Sequence, residues 1–207
     1  MPTGFVIRAA LLLIFASAVC LGEYLLRGRT RRLRAYGLIV GAGCVGGLYG
    51  FCNDLVSAAI SPHYFLLFKG VPLDAPLWAR AAQVGGPAGI STGCVLGAIA
   101  AYVAHRRAPA MPLRAMLRGA WMPVALGILF SILFPLLFRS FDPLNLSRLT
   151  KHGLSPVTLP SVLTTWWEHL GVYTGSSLGF VIYLTYSRPR QVRTVESRTM
   201  EKTNPVA

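Results

Sequence analysis

The chain has 207 residues, of which 54% are apolar and only 13% are charged. Soluble domains carry about 25% charged residues, so this composition excludes an ordinary water-soluble domain, and the large apolar share excludes a disordered chain. In a soluble protein, a net charge of +13 would indicate nucleic-acid binding. Here the basic residues lie between apolar runs, where they act as membrane topology signals, so no nucleic-acid partner is expected.

Five stretches reach the length of about 20 mainly apolar residues that a transmembrane helix needs. In chain order they cover residues 5–26, 35–60, 82–105, 121–138 and 162–186. The connections between them are short, which predicts one all-α domain over residues 1–187, a polytopic helix bundle with about five transmembrane helices. The polar, basic segment 188–207 is predicted to be a disordered cytoplasmic tail.

The orientation follows from the positions of Lys and Arg. Fourteen of these 20 residues lie in the first connection, the third connection and the C-terminal tail. By the positive-inside rule these segments are cytoplasmic, which places the N-terminus outside in a multi-pass protein of the bacterial inner membrane. A cleaved signal peptide is the alternative interpretation of the first span, with a small-residue site at Ala16-Ser17-Ala18, but cleavage would reverse the charge bias of every later loop.

Three spans carry glycines at a spacing of four residues, a pattern that lets helix backbones approach closely. We expect the second, third and fifth spans to form the centre of the bundle, and the first and fourth spans to face lipid. The same glycine faces are also suited to contacts with a second copy of the chain or with membrane partner subunits. The glycines are Gly43, Gly46, Gly47, Gly50, Gly89, Gly93, Gly97, Gly171, Gly175 and Gly179.

Ionisable side chains inside a span are costly and therefore mark candidate functional sites. Asp54 lies on the glycine-rich face of the second span, and Glu168 and His169 lie at a matching depth in the fifth. We predict a polar pocket open to the periplasmic side, with a divalent metal ion or a small polar molecule as its ligand. The candidate metal ligands are Asp54, His63, Glu168 and His169, and the other predicted lining residues are Asn53, Arg80, Gln83 and Tyr173.

Other functions compete with this hypothesis. The same polar side chains could form a paired network that only fixes helix packing, in a structural or assembly subunit. A transporter subunit is less favoured because the second span offers no polar path below Asp54. No GxSxG, HExxH or phosphate-binding loop is present, so an enzyme stays an open alternative whose reaction the sequence does not name.

Two segments resemble an uncharacterised family of bacterial polytopic membrane proteins. Residues 49–57 read YGFCNDLVS and residues 61–65 read SPHYF, similar to the YGxxHDQxT and SPEYF segments of that family. Residues 166–179 read WWEHLGVYTGSSLG, similar to its AHxxSYxxGxxGG helix. The resemblance implies the membrane-bundle fold and the pocket, without an assigned activity.

The chain departs from that pattern at four positions. Asn53 replaces the histidine of HDQ, Leu55 and Ser57 replace the glutamine and threonine, and His63 replaces the glutamate of SPEYF. Asp54 and His169 match. If the family pattern binds a metal, this chain has lost one imidazole and exchanged one carboxylate for another, which still allows a site of the four candidate ligands with an altered metal preference.

Overall fold

A computed structural model of the chain describes residues 3–28, 30–107, 113–143, 145 and 155–186, and every regular element in this part is an α-helix. The all-α prediction is therefore confirmed for the described residues. The predicted tail 188–207 lies outside them. In chain order the helices are α1 (Thr3–Arg27), α2 (Arg31–Ile60), α3 (Pro62–Lys69), α4 (Leu77–Arg107), α5 (Leu113–Phe138) and α6 (Leu159–Tyr186).

Three helical segments of the described residues are long and apolar enough to cross a membrane. They are Arg32–Ile60, Leu77–Arg106 and Trp121–Phe138, which contain the second, third and fourth predicted spans. The first and fifth predicted spans coincide with α1 and α6. Length and composition thus indicate a membrane protein.

The connection after the second span contains a short helix, α3. Ser61 ends α2, and its side chain also accepts a hydrogen bond from the backbone N–H of Tyr64, which caps the start of α3. Pro62 occupies the first turn, where its missing N–H costs nothing. Gly70 ends α3 in the left-handed conformation, with φ 64°, a conformation that favours glycine.

The bundle is built from two tightly packed helix pairs, α2 with α4 and α5 with α6. In the first pair, a Cβ on Gly46 would collide with the backbone carbonyl of Gly89, and one on Gly50 would collide with that of Gly85. Gly93 sits equally close to the backbone of Ala42. The two backbones approach so closely because glycines of both helices face each other at the crossing.

The second pair is closed mainly by the glycines of α6. Gly171, Gly175 and Gly179 of α6 lie against the backbone carbonyls of Phe130, Leu126 and Met122 of α5. The expectation that the second, third and fifth spans form the centre of the bundle without the fourth is therefore wrong, because one face of α5 is the partner of the glycine face of α6. The opposite face of α5 is exposed and apolar, for example at Ile132 and Leu136.

Two apolar clusters join the helix pairs, one at each end. The cluster at the α3 end consists of Ala58, Tyr64, Phe65, Val71, Val162 and Leu163. The cluster at the opposite end consists of Leu38, Ala100, Phe180 and Tyr183. The pairs are thus held together at their ends, and the functional site lies between these two clusters.

We expect Gly46→Ala to destabilise the bundle, because its new methyl group would press on the backbone of α4. Overpacking of this kind costs about 1–3 kcal/mol. Thermal unfolding of the purified protein in detergent measures the effect. Gly41→Ala is the matched control on the same helix, since a Cβ there meets no atom within 4 Å. Equal stability of the two variants would contradict close α2–α4 packing.

Candidate functional site

A buried ion-paired group of three side chains joins α2 to α6. The Nε2 atom of His169 lies 3.2 Å from Oδ1 of Asp54, and its Nδ1 atom lies 2.9 Å from Oε2 of Glu168. Asp54 is 4% exposed, and Glu168 and His169 are each 6% exposed. The structure thus brings together three of the four side chains expected to share a site.

Small neighbours make room for the carboxyl group of Asp54. A Cβ added to Gly85 of α4 would lie 2.7 Å from Cγ of Asp54. The close α2–α4 crossing and the buried acid therefore depend on the same missing side chain. This explains how a charged residue is accommodated beside a glycine-lined helix contact.

Ser57, one turn after Asp54, adds a fourth member to the group. Its hydroxyl is fully buried and lies 2.5 Å from Oε2 of Glu168 and 3.0 Å from the backbone carbonyl of Asn53. A serine hydroxyl has a single proton to donate, so it serves one of these acceptors at a time. We call Asp54, Ser57, Glu168 and His169 the polar cluster.

The contacts of His169 determine where protons lie. Nδ1 faces Oε2 of Glu168 and, at 3.0 Å, the backbone carbonyl of Thr165. Both of these oxygens accept hydrogen bonds, so Nδ1 carries a proton. Nε2 faces Asp54 at an ion-pair distance, and such a contact is favourable only with a proton on one of the two groups.

The polar cluster contains two acidic side chains and one basic side chain. Its charge therefore balances when it takes up one further proton or one cation. Charges in a low-dielectric interior are strongly penalised unless they are paired. The arrangement is suited to holding a positively charged or proton-donating group.

Several polar atoms in or near the cluster lack a hydrogen-bond partner within the described part of the chain. They include Nε2 of His169, Oδ2 of Asp54 and the hydroxyl oxygen of Tyr49, all buried. The Tyr49 side chain extends from α2 toward the other helix pair, because Gly127 of α5 leaves room for its hydroxyl. Unpaired buried polar atoms cost about 1–3 kcal/mol each, so they mark positions at which a ligand can bind.

His63 does not join the polar cluster. It is half-buried on α3 and makes no ion pair or hydrogen bond with the cluster among the residues described. Consecutive residues of a helix point in different directions, so Tyr64, which follows His63, faces the cluster instead. The Tyr64 ring packs on His169 with 4.8 Å between ring centres. The prediction that His63 shares the site is not supported by this geometry.

The other predicted lining residues do not all lie at the site. Asn53 and Tyr173 line a cavity beside the cluster. Arg80 is buried, but its guanidinium donates to the backbone carbonyl of Leu73 and, within the described ranges, to no carboxylate. Gln83 is exposed and does not line the cavity.

The predicted metal site is not assembled in this arrangement. Within the described ranges, no group of three or more His, Cys, Asp or Glu side chains could hold a metal ion. Both ring nitrogens of His169 already face carboxylate oxygens. A histidine ligand must offer an unprotonated nitrogen to the metal, so this imidazole is not available for that role.

The helix α3 covers the polar cluster at one end. Tyr64 and Phe65 are buried there, and both rings contact the imidazole of His169. Burial raises the pKa of the Tyr64 phenol, and the nearby negative charges of Asp54 and Glu168 raise it further. The phenol therefore keeps its proton at neutral pH, and α3 presents a neutral, mostly apolar surface to the cluster.

A long cavity begins at the polar cluster and runs between the two helix pairs. Its volume is about 350 Å³, within the range of small-molecule sites. One end is lined by Asn53, Asp54, Lys69, His169 and Tyr173, and the other by Leu38, Ala100, Phe180 and Tyr183. We call this cavity the groove.

The walls of the groove between its ends are almost entirely apolar or glycine. Val45 and Tyr173 line it and remain 55% and 56% exposed, so the groove is open and not a closed interior void. The pocket expected near the periplasmic surface thus continues far along the helices. The extent of the groove and the position of Tyr49 in its wall are not predicted from the sequence. The place of Ser57 in the polar cluster is not predicted either, although Ser57 lies one helical turn from Asp54.

No protein family, no curated protein and no solved structure matches this chain in comparisons with known proteins. The case for function therefore depends on the geometry of the polar cluster and the groove.

We expect His169→Ala to lower the free energy of unfolding by about 3–5 kcal/mol, because it leaves two buried carboxyl groups without their shared partner. Chemical or thermal unfolding in detergent measures this loss. His63→Ala is the matched control, since His63 is half-buried and outside the polar cluster, and its effect should stay within about 0.5 kcal/mol. Similar losses in the two variants would refute the ion-paired arrangement.

Proposed function

We propose that this chain is a five-span membrane protein that binds a small, mainly apolar molecule in the groove, with the polar cluster holding the polar group of that molecule. The observation that carries the proposal is the combination of an open apolar cavity with an unpartnered, buried oxygen of Asp54 at one end. Ligand sites are typically apolar clefts with a few well-placed polar groups. The sequence-based hypothesis of a small polar ligand is thereby changed to a ligand with a substantial apolar part.

The proposal includes the orientation indicated by the basic connections. With the N-terminus outside and the C-terminus in the cytoplasm, α2 runs outward and the α3 end of the bundle lies at the periplasmic face of a bacterial inner membrane. The polar cluster then lies near the outer surface, and the rest of the groove lies at the depth of the hydrocarbon core. A ligand can enter such a groove from the bilayer.

A structural role is the second candidate, and one observation favours it. The polar cluster connects α2 of one helix pair to α6 of the other. It could therefore serve only to fix how the pairs assemble. The two roles differ in their dependence on the groove, because a structural cluster needs no open cavity beside it.

Photolabelling tests the binding function. We expect a dodecyl alcohol that carries a diazirine on its chain to label Val45 and Tyr173 saturably in the protein reconstituted into lipid nanodiscs. Excess unlabelled dodecanol should abolish this labelling but not the labelling of Leu136, which faces away from the groove. Peptide mapping by mass spectrometry provides the measurement.

The variant Thr92→Phe should block the groove and reduce saturable labelling at least several-fold, since Thr92 lines the groove. Val95→Phe adds a ring to the same helix outside the groove and is the matched control. Labelling that is never saturable, or that both variants leave unchanged, would favour the structural role.

Reporter fusions test the topology. We expect a C-terminal green fluorescent protein fusion to fluoresce and a C-terminal alkaline phosphatase fusion to be inactive, because a five-span chain ends in the cytoplasm. If only α2, α4 and α5 crossed the membrane, the same basic connections would place the C-terminus outside. An active phosphatase fusion would then overturn the five-span topology.

A further inference from the structure

The groove is long and narrow. From Leu38 to Asp54 it follows 16 residues of α2, or about 24 Å at the helical rise of 1.5 Å per residue. That length approaches the thickness of about 30 Å of a bilayer hydrocarbon core. A volume of about 350 Å³ spread over this length suits one extended chain better than a compact molecule.

The walls of the groove match an apolar chain. Between its two ends they consist mainly of small residues of α2 and α4, such as Gly46 and Ala88, and of Val124 and Val172 from the other pair. Among these residues no side chain offers a hydrogen bond along the middle of the groove apart from Tyr49, Thr92 and Ser176. Specific recognition of a polar group therefore concentrates at the α3 end.

The α3 end of the groove is suited to a ligand group that donates a hydrogen bond. Oδ2 of Asp54 is buried and has no hydrogen-bond partner among the described residues, and the polar cluster has one acidic side chain more than basic side chains. Lys69 lines the same end of the groove but is exposed. Solvent already stabilises its charge, whereas the buried carboxylate needs a counter-charge from within the site.

We infer that the ligand is a single-chain amphipath with a cationic amine head group. Its ammonium binds Asp54 beside His169, and its extended hydrocarbon chain lies in the groove toward Phe180 and Tyr183. This inference rests on the proposed binding function and adds the chemical class of the ligand. The amine both pairs with the unpartnered oxygen and balances the charge of the polar cluster.

A series of three photoprobes tests the inference, each with the same diazirine-bearing dodecyl chain and with an ammonium, a hydroxyl or a carboxylate head. In phosphatidylcholine nanodiscs, labelling at Tyr173 is normalised to labelling at Leu136, which corrects for partitioning into the bilayer. We expect half-maximal labelling by the ammonium probe at a concentration about tenfold lower than for the other two probes. A charge-assisted hydrogen bond provides a gain in affinity of about this size. Propylammonium, which has the head without the chain, should compete poorly.

The variant Asp54→Asn should remove the preference for the ammonium probe. Asp74→Asn is its matched control, because it removes the same charge from an exposed position in the connection between α3 and α4. If Asp54→Asn fails to fold, the comparison of the three probes on the unmodified protein still decides the question.

Each outcome has a separate meaning. Absence of saturable labelling by every probe would overturn the binding function itself. Saturable labelling with no preference among the head groups, or with a preference for the carboxylate, would leave the groove as a binding site and overturn the inferred amine. Effective competition by propylammonium would overturn the role of the chain.

Discussion

The arrangement of this bundle depends on the contact of one imidazole with two buried carboxyl groups. His169 stands between Asp54 and Glu168, and these residues come from two different helix pairs. Removal of His169 leaves two carboxyl groups without their shared partner in a medium that stabilises charge poorly. The contact therefore fixes how far α6 can move relative to α2, and with it the width of the groove between the pairs.

Close backbone contact within each helix pair leaves space open between the pairs. Glycines bring α2 against α4, and α6 against α5, more closely than any larger residue would allow. Once each pair is closed in this way, few large side chains remain to fill the space between the pairs. Apolar clusters close the two ends, and the middle stays open as the groove. Tight packing within the pairs and the cavity between them thus have a common origin in the small residues of α2, α4 and α6.

Much of this arrangement is predictable from the residues. The apolar runs locate five long helices, and the second run, residues 35–60, ends at the residue where α2 ends. The depth of Asp54, Glu168 and His169 and their glycine neighbours predict that they lie close together. The structure does not bring His63 into the same cluster, because its segment is a capped helix whose next residue, Tyr64, faces the cluster.

The amino-acid sequence by itself determined that the protein is helical, apolar and basic between its apolar runs, and which ionisable residues lie inside those runs. Composition and periodicity suffice for this, because they act within single helices. The tertiary structure alone decided that the glycines of α6 pack on α5, that both nitrogens of His169 face carboxylates, and that a groove opens beside Asp54. These features depend on which helices become neighbours, and glycine faces on several helices are compatible with more than one pairing, so only the assembled bundle selects among them.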